Sequence, residues 1–251
     1  MKLGIISDVH SNIDALKVVF DRFEKENVDK IICAGDVIGI GPFSEECIDF
    51  FIENKDKFIV MIRGNHEGYL LDGLPKRNHN RKNGRLLTPE EISMHTWNHN
   101  NLREDQIEFI KSWNKSAEIE IEGKKIIVEH YPTNAKGKFK RFYSLPTHGQ
   151  IKKLCEEKES DVFIFGHTHI NICYDEDDKL IINPGSLGCP VQTGGANCGI
   201  LTIESGKIDY KQIVEPYDVK KVIEDIKSLR YPIHGAMIKI FYDRDFNMFK
   251  K

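Results

Sequence analysis

No long hydrophobic run appears anywhere in this sequence. Each apolar stretch is a few residues long, far short of the ~20 that cross a bilayer, so the membrane-spanning classes are set aside. The apolar part of "MKLGIISDVH" ends at Asp8 and is too short for the core of a secretory signal. CxxC pairs are lacking as well. Cys33, Cys47, Cys155, Cys173, Cys189 and Cys198 stand apart, which points to neither a disulfide framework nor a thiolate zinc site. They read as small, mostly buried apolar side chains, and the chain as cytoplasmic. An excess of charge is missing too. With 36 Lys+Arg against 39 Asp+Glu the formal net charge is -3. Global charge therefore holds neither nucleic acid nor an anionic membrane, and no stable nucleic-acid complex is expected. Low-complexity tracts and internal repeats are absent.

What is present is a chain of 251 residues, enough for one large domain with a sizeable core. The β-type runs "KLGII", "KIICA" and "KFIVMI" alternate with helical patterns over about residues 12–26 and 44–54. Ile13, Leu16, Val19, Phe20 and Phe23 fall on one stripe at helical spacing. This alternation predicts βαβ units and a largely parallel sheet. Residues 68–101 break the rhythm and read as a cap or insertion, followed by a helix start in which Thr88, Pro89 and Glu91 supply the signals. From Ala117, "AEIEIEGKKIIVEH" predicts a hairpin about a Glu-Gly turn, and "GILTIESGKIDYKQIV" another about Ser-Gly. Val219, Val222, Ile223, Ile226 and Leu229 predict an appended amphipathic helix over about 217–230. It either seals a sheet face or meets another subunit, and the oligomeric state stays open.

The residues that follow the apolar runs are the informative ones. Asp8 and His10 follow "LGIIS", Asp36 follows "IICAG", Asn65 and His66 follow "FIVMIRG", His130 follows "IIVE", and His167 and His169 follow "VFIFG". In sheets fed by βαβ units the carboxyl ends of strands share one edge, so these eight side chains converge. In extended chain, residues two apart face the same side, about 6.5 Å apart. Asp8 with His10, and His167 with His169, then straddle two cations about 3.5–4 Å apart, one imidazole each, with Gly166 letting the backbone pass closely. Thr168 points elsewhere. Carboxylate and imidazole donors suit manganese first, with iron, zinc or nickel as alternatives. Two such ions leave the site positive enough to attract phosphate.

The stretches "SDVHSNIDAL", "GDVIGIGP", "RGNHE", "EHYP", "FGHTH" and "NPGSLGCP", in this order over residues 7–190, resemble the calcineurin-like metallophosphoesterases, in particular the bacterial and archaeal branch grouped with diadenosine tetraphosphatase-like proteins. The resemblance implies an α/β/β/α sandwich with a dinuclear metal centre at the strand C-terminal edge. It implies that Asp8, His10 and His169 hold one metal, that Asn65, His130 and His167 hold the other, and that Asp36 bridges them. His66 is then the non-ligand histidine that hydrogen-bonds the phosphate and protonates the leaving oxygen, and Arg63 is a weaker candidate for a phosphate contact. Three positions depart from the family pattern. Ser11 stands where a glycine often follows, Tyr131 follows His130 in place of a glycine, and Val191 replaces a frequent arginine.

The activity so implied is metal-dependent hydrolysis of phosphodiester or dinucleoside polyphosphate bonds, by in-line attack of a metal-bridging hydroxide. The alternatives are a phosphoprotein phosphatase, a non-catalytic protein-binding scaffold of the same fold, and an unrelated metal hydrolase of amides. Substrates are accordingly a phosphorylated small molecule, a nucleotide or a phosphoprotein. Two basic stretches bear on that choice: Lys76, Arg77, Arg81, Lys82 and Arg85, and Lys136, Lys138, Lys140 and Arg141. Either overhangs the site and favours a polyphosphate or nucleotide, or is a solvated loop. "NPGS" reads as a tight turn supporting the site. Tyr131, Tyr143 and Trp97 stack a base or pack a core.

Overall fold

Strands with apolar residues at successive positions need cover on both faces, and the chain supplies it by stacking two sheets between layers of helix. The computed structural model describes residues 1–76, 86–176, 178–191 and 193–243. One sheet contains β1 (Lys2–Ile6), β2 (Lys30–Cys33), β3 (Phe58–Met61), β9 (Ala196–Glu204) and β10 (Lys207–Glu215), in the order β10-β9-β1-β2-β3. The other contains β4 (Ser116–Ile121), β5 (Lys124–Glu129), β6 (Val162–Ile164), β7 (Asn171–Glu176) and β8 (Lys179–Pro184), in the order β4-β5-β6-β8-β7. Leu3, Ile5, Ile32 and Val60 meet Val128, Val162, Ile164 and Ile182 between the sheets. One residue along, Ile6, Ile31 and Cys33 face outward, against α1 (Ile13–Lys25), α2 (Ser44–Glu53) and α5 (Glu104–Lys111). Phe163 and Ile181 do the same on the second sheet, against α6 (His148–Cys155). The layers therefore run α/β/β/α, as expected.

The sheets are mixed, which corrects the expectation of a largely parallel one. β1, β2 and β3 are parallel, as are β5, β6 and β8, but β4, β7, β9 and β10 pair antiparallel with their neighbours. The reason is local: a tight turn cannot return the chain to a parallel register. Glu122-Gly123 (φ 50° and 76°) and Ser205-Gly206 (φ 52° and 77°) are left-handed pairs, the turn geometry that matches strand twist in a two-residue hairpin.

Helix starts follow their side-chain chemistry. Asn12 Oδ1 accepts from Ala15 N at 3.1 Å to open α1. Thr88 Oγ1 accepts from Glu91 N at 3.2 Å while Glu91 Oε2 accepts from Thr88 N at 2.8 Å, so α4 (Pro89–Asn100) starts on the capping box expected for it. The amphipathic stripe near the C-terminus forms α7 (Val219–Ser228). It covers no sheet face. Val222 and Ile226 pack with Met94 of α4 and with Tyr231, Met237 and Tyr242, because α8 (His234–Met237) and a π-helical turn over Ile238–Tyr242 fold back over α4. α3 (Asn65–Asp72) leads into the segment read as a cap. Arg77, Arg81, Lys82 and Arg85 lie outside the described residues. No helix among the described residues is long and apolar enough to cross a membrane.

Candidate metal centre

Each of the parallel strands β1, β2, β3, β5 and β6 ends in a short loop at the same edge, and these loops are sewn together by backbone hydrogen bonds. Asp8 N donates to Gly35 O at 3.0 Å, His10 N to Asp36 O at 3.1 Å and Ser11 N to Val37 O at 2.9 Å. Gly166 N donates to His130 O at 3.0 Å, which ties the two loops of the second sheet. His167 N then donates to both carboxylate oxygens of Asp8, at 2.9 and 3.1 Å, across the gap between the sheets. That crossing requires Gly166: a Cβ there would collide with Ser7 Oγ and Asp8 Oδ2.

The expected extended geometry of the two pairs is not found. Asp8 (φ 53°), His10 (47°), Asp36 (54°), His167 (67°) and His169 (60°) are all left-handed, because the strands stop at Ile6, Cys33 and Ile164 and the chain turns immediately. His167 and His169 still part into different donor groups as the spacing predicted, whereas Asp8 and His10, expected to straddle as well, fall in one group. His10 and His169 stand with Asp8, and His167 stands with His130 and Asp36. Thr168 turns away, its Oγ1 accepting from Asn183 Nδ2 at 3.1 Å.

Donor atoms converge closely. His10 Nε2 lies 2.9 Å from His169 Nε2, 3.6 Å from Asp8 Oδ1 and 3.9 Å from Asp36 Oδ2. His130 Nε2 lies 3.1 Å from Asp36 Oδ2, 3.2 Å from Asn65 Oδ1 and 3.2 Å from His167 Nδ1. Backbone carbonyls decide which nitrogens carry hydrogen. Ile38 O, Cys189 O and Ala34 O sit 3.4, 2.9 and 2.7 Å from the Nδ1 atoms of His10, His169 and His130. A carbonyl can only accept, so each Nδ1 donates and each Nε2 is turned to the centre, where its lone pair serves a cation once any proton on it has left. Facing lone pairs and carboxylate oxygens repel unless something positive lies between them, and this outer hydrogen bonding is typical of metal-bound imidazoles. The donor set fits divalent cations. Asp36 stands in two of the groups able to hold one, with His10 and His66 on one side and His130 and His167 on the other.

Electrostatics agree. Burial works against the charge on Asp8, but the imidazoles of His169, His10 and His130 outweigh it and hold the carboxyl at about 2. Burial likewise opposes charge on His130, yet Asp36 and Asp8 lift it to about 10. Burial pushes His167 and His169 down to about 3 and about 4. Asp8 and Asp36 are thus held as buried anions beside His167 and His169, which stay neutral, and His130 carries a proton that a cation would displace.

His66 N donates to Asp36 Oδ1 at 2.8 Å, and the ring packs so closely over Gly39 that a Cβ on this residue would collide with it. Arg63 takes no part in the hydrogen bonds of this cluster. Its backbone N–H donates to Asn114 O at 2.8 Å, and its buried Nε has no partner. Tyr131 and Trp97 are packed, Tyr131 at 1% exposure with its hydroxyl donating to Arg141 O, and Trp97 edge-on to Tyr231. Of the second basic stretch, Lys140 is occupied by Leu154 O and Glu157, while Lys138 and Arg141 line a cavity of about 660 Å³ that reaches His167. In the "NPGS" turn, Ser186 Oγ donates to Asp8 O at 2.7 Å and Asn183 Nδ2 to Gly166 O at 2.7 Å.

Sequence reading missed Glu67. Its buried carboxylate accepts from the backbone N–H groups of Gly64, Asp36, Val37 and Ile38 at 2.7, 2.9, 2.8 and 3.1 Å. It clamps the Asp36 loop to the Asn65 loop. A signal existed: an acid three residues after a glycine, at the start of a helix. His95 was missed as well. It lies on α4 with its ring 5.2 Å from that of His66, and nothing local in the sequence marks it.

Comparison with known proteins gives one consistent result. A family model described as the calcineurin-like phosphoesterase superfamily domain matches residues 1–206. An uncharacterized protein of Methanocaldococcus jannaschii is 30% identical over 254 residues, covering 92% of this chain and 93% of its own. A phosphodiesterase of the same archaeon is 27% identical over 85% of this chain and 99% of its own. A symmetrical bis(5'-nucleosyl)-tetraphosphatase of Aliivibrio salmonicida is 31% identical over 39% of this chain and 37% of its own. The crystal structure of a hypothetical protein from Pyrococcus horikoshii superposes with a TM-score of 0.78 at 17% identity, covering 96% of this chain and 97% of that one, a likeness of fold. With its sandwich, its strand-end donors and this match over most of its length, the chain belongs to the calcineurin-like phosphoesterase superfamily.

Proposed function

We propose that this phosphoesterase hydrolyses phosphodiester or dinucleoside polyphosphate bonds with two divalent cations, manganese first among them. Asp8, His10 and His169 hold one, Asn65, His130 and His167 hold the other, and Asp36 serves both. Bound there, the ions supply Lewis-acid activation of the phosphate and of the attacking water. The protein does the rest. Asp36 and Asp8 keep their negative charge, the carbonyls of Ile38, Cys189 and Ala34 fix the ring tautomers, and Glu67 fixes the separation of the two loops. His66, kept neutral by burial that outweighs the pull of Asp36, donates an N–H to the phosphate and the departing oxygen. Arg63 is kept as a weaker phosphate contact. Residues 1–251 form a single domain on this reading, with 68–101 as a cap and 217–230 as an appended helix.

The observation that carries the proposal is the 2.9 Å approach of His10 Nε2 to His169 Nε2, each ring with its Nδ1 turned to a backbone carbonyl, beside two buried carboxylates. Elemental analysis of the purified protein tests it against the scaffold alternative, with two equivalents of metal expected. Turnover of bis-p-nitrophenyl phosphate, diadenosine tetraphosphate and a phosphopeptide, with manganese supplied, ranks the substrates. Cleavage of the phosphopeptide alone would replace this reading with that of a phosphoprotein phosphatase.

A further inference from the structure

A cavity of about 260 Å³ opens beside His66 and Asn65, on the side of the site away from His167. Three stretches of chain that are distant in sequence wall it: Ile40 after β2, Met94 and His95 of α4, and Met237, Ile240 and Phe241 of the C-terminal segment. The C-terminal wall is anchored. Tyr242 Oη donates to Gly188 O at 3.0 Å, in the turn whose Ser186 bonds the carbonyl of Asp8. Phe241 sits with its ring 6.1 Å from that of His169, so the wall reaches across the top of the centre. Ile240 is left 43% exposed at the rim, although it is large and apolar.

The chemistry of this cavity differs from that of its neighbour. Among the described residues no lysine or arginine lines it, and the carboxylate of Glu91 accepts from Thr88 N. His95 is 4% exposed and its Nδ1 has no hydrogen-bond partner. An anion placed here would lose its water without meeting a cation among the described lining residues. The cavity beside His167 also has aromatic walls, Tyr131, Phe139 and Phe142, but differs in adding the cations Lys138 and Arg141. At about 260 Å³ the apolar cavity falls just below the ~300–1,000 Å³ of drug-sized sites, which leaves room for one ring system and none for a second nucleotide.

We propose that this cavity is the leaving-group pocket, and that the preferred substrate is a phosphodiester whose departing alcohol is uncharged and carries a single flat ring. The inference rests on the phosphoesterase reading, in which His66 stands beside the departing oxygen. It sharpens that reading by ranking such diesters above dinucleoside polyphosphates, whose leaving group is itself a charged phosphate. The ring lies between Met94, Met237 and Phe241, His95 meets a polar atom on its edge, and the charged remainder of the substrate lies toward Lys138 and Arg141.

The test compares calorimetric affinities of phenylphosphonate and methylphosphonate for the manganese-loaded protein, and for Ala236→Trp and Ile240→Asp. Both positions are exposed at the cavity mouth, so these variants fold, as a thermal melt checks. The wild type is expected to prefer phenylphosphonate by at least about tenfold, the scale of burying one aromatic ring. Each variant should bring the ratio to within about threefold of unity while methylphosphonate still binds. A ratio near unity in the wild type, or an unchanged ratio in both variants, overturns the pocket and leaves the phosphoesterase reading intact. If neither phosphonate binds and no ester is cleaved, the parent reading falls and this one with it.

Discussion

On the floor of the candidate metal centre, most of the polar groups are held by backbone: Asp8 by the N–H of His167, Asp36 by that of His66, and the rings of His10, His169 and His130 by three carbonyls. Above it, Met94, Met237, Ile240 and Phe241 make contact through flexible apolar side chains, and the described anchors run through Tyr242. The difference separates two tasks. Holding charge at fixed distances demands directional bonds and nearly complete burial, whereas receiving a ring demands only shape and freedom from charge. Floor and roof should therefore respond differently to mutation.

The largest expected effect is on the floor. Asp36→Asn removes the carboxylate shared by both sides, and kcat on bis-p-nitrophenyl phosphate should fall by at least about 10²–10³-fold, the scale of losing one electrostatic stabiliser, with the fold retained by circular dichroism. Turnover close to wild type would dissolve the distinction between floor and roof. Next comes Glu67→Gln, in which an amide hydrogen faces backbone donors. Metal affinity, read by titration with manganese, should weaken by about 10–100-fold, as for other groups that orient ligands. Restored loading at high manganese would mark Glu67 as a positioning residue. The smallest effect belongs to the roof. Tyr242→Phe loses the bond to Gly188 O and should cost about 1 kcal/mol in denaturant unfolding, with little change in metal binding.

Much of the floor is legible in the sequence because its signal is positional. A polar donor directly after an apolar run falls at a strand end, and strand ends of a parallel array meet, so Asp8, His10, Asp36, Asn65, His66, His130, His167 and His169 could be gathered before any coordinates. The backbone shape was not legible. Two residues apart reads as extended chain, yet the turns begin directly at the strand ends and put the same side chains in place by left-handed geometry. The roof was still less so. α7 carries a clear stripe, but a stripe names no partner, and the chain after it, with short α8 and a π-helical turn, has no period to detect. Glu67 was overlooked because its partners are backbone amides, which no residue identity advertises.

Five candidate donor residues at this edge with positive φ, namely Asp8, His10, Asp36, His167 and His169, have one more consequence. Each adopts a conformation about 1–2 kcal/mol above the ordinary helical well. Glycine would relieve every one of them and discard the donor atom with it. Thermal hardening of this protein is accordingly unavailable where its backbone is most tense, and any lineage that drifted toward a sturdier fold at these positions would have surrendered its chemistry in the same step.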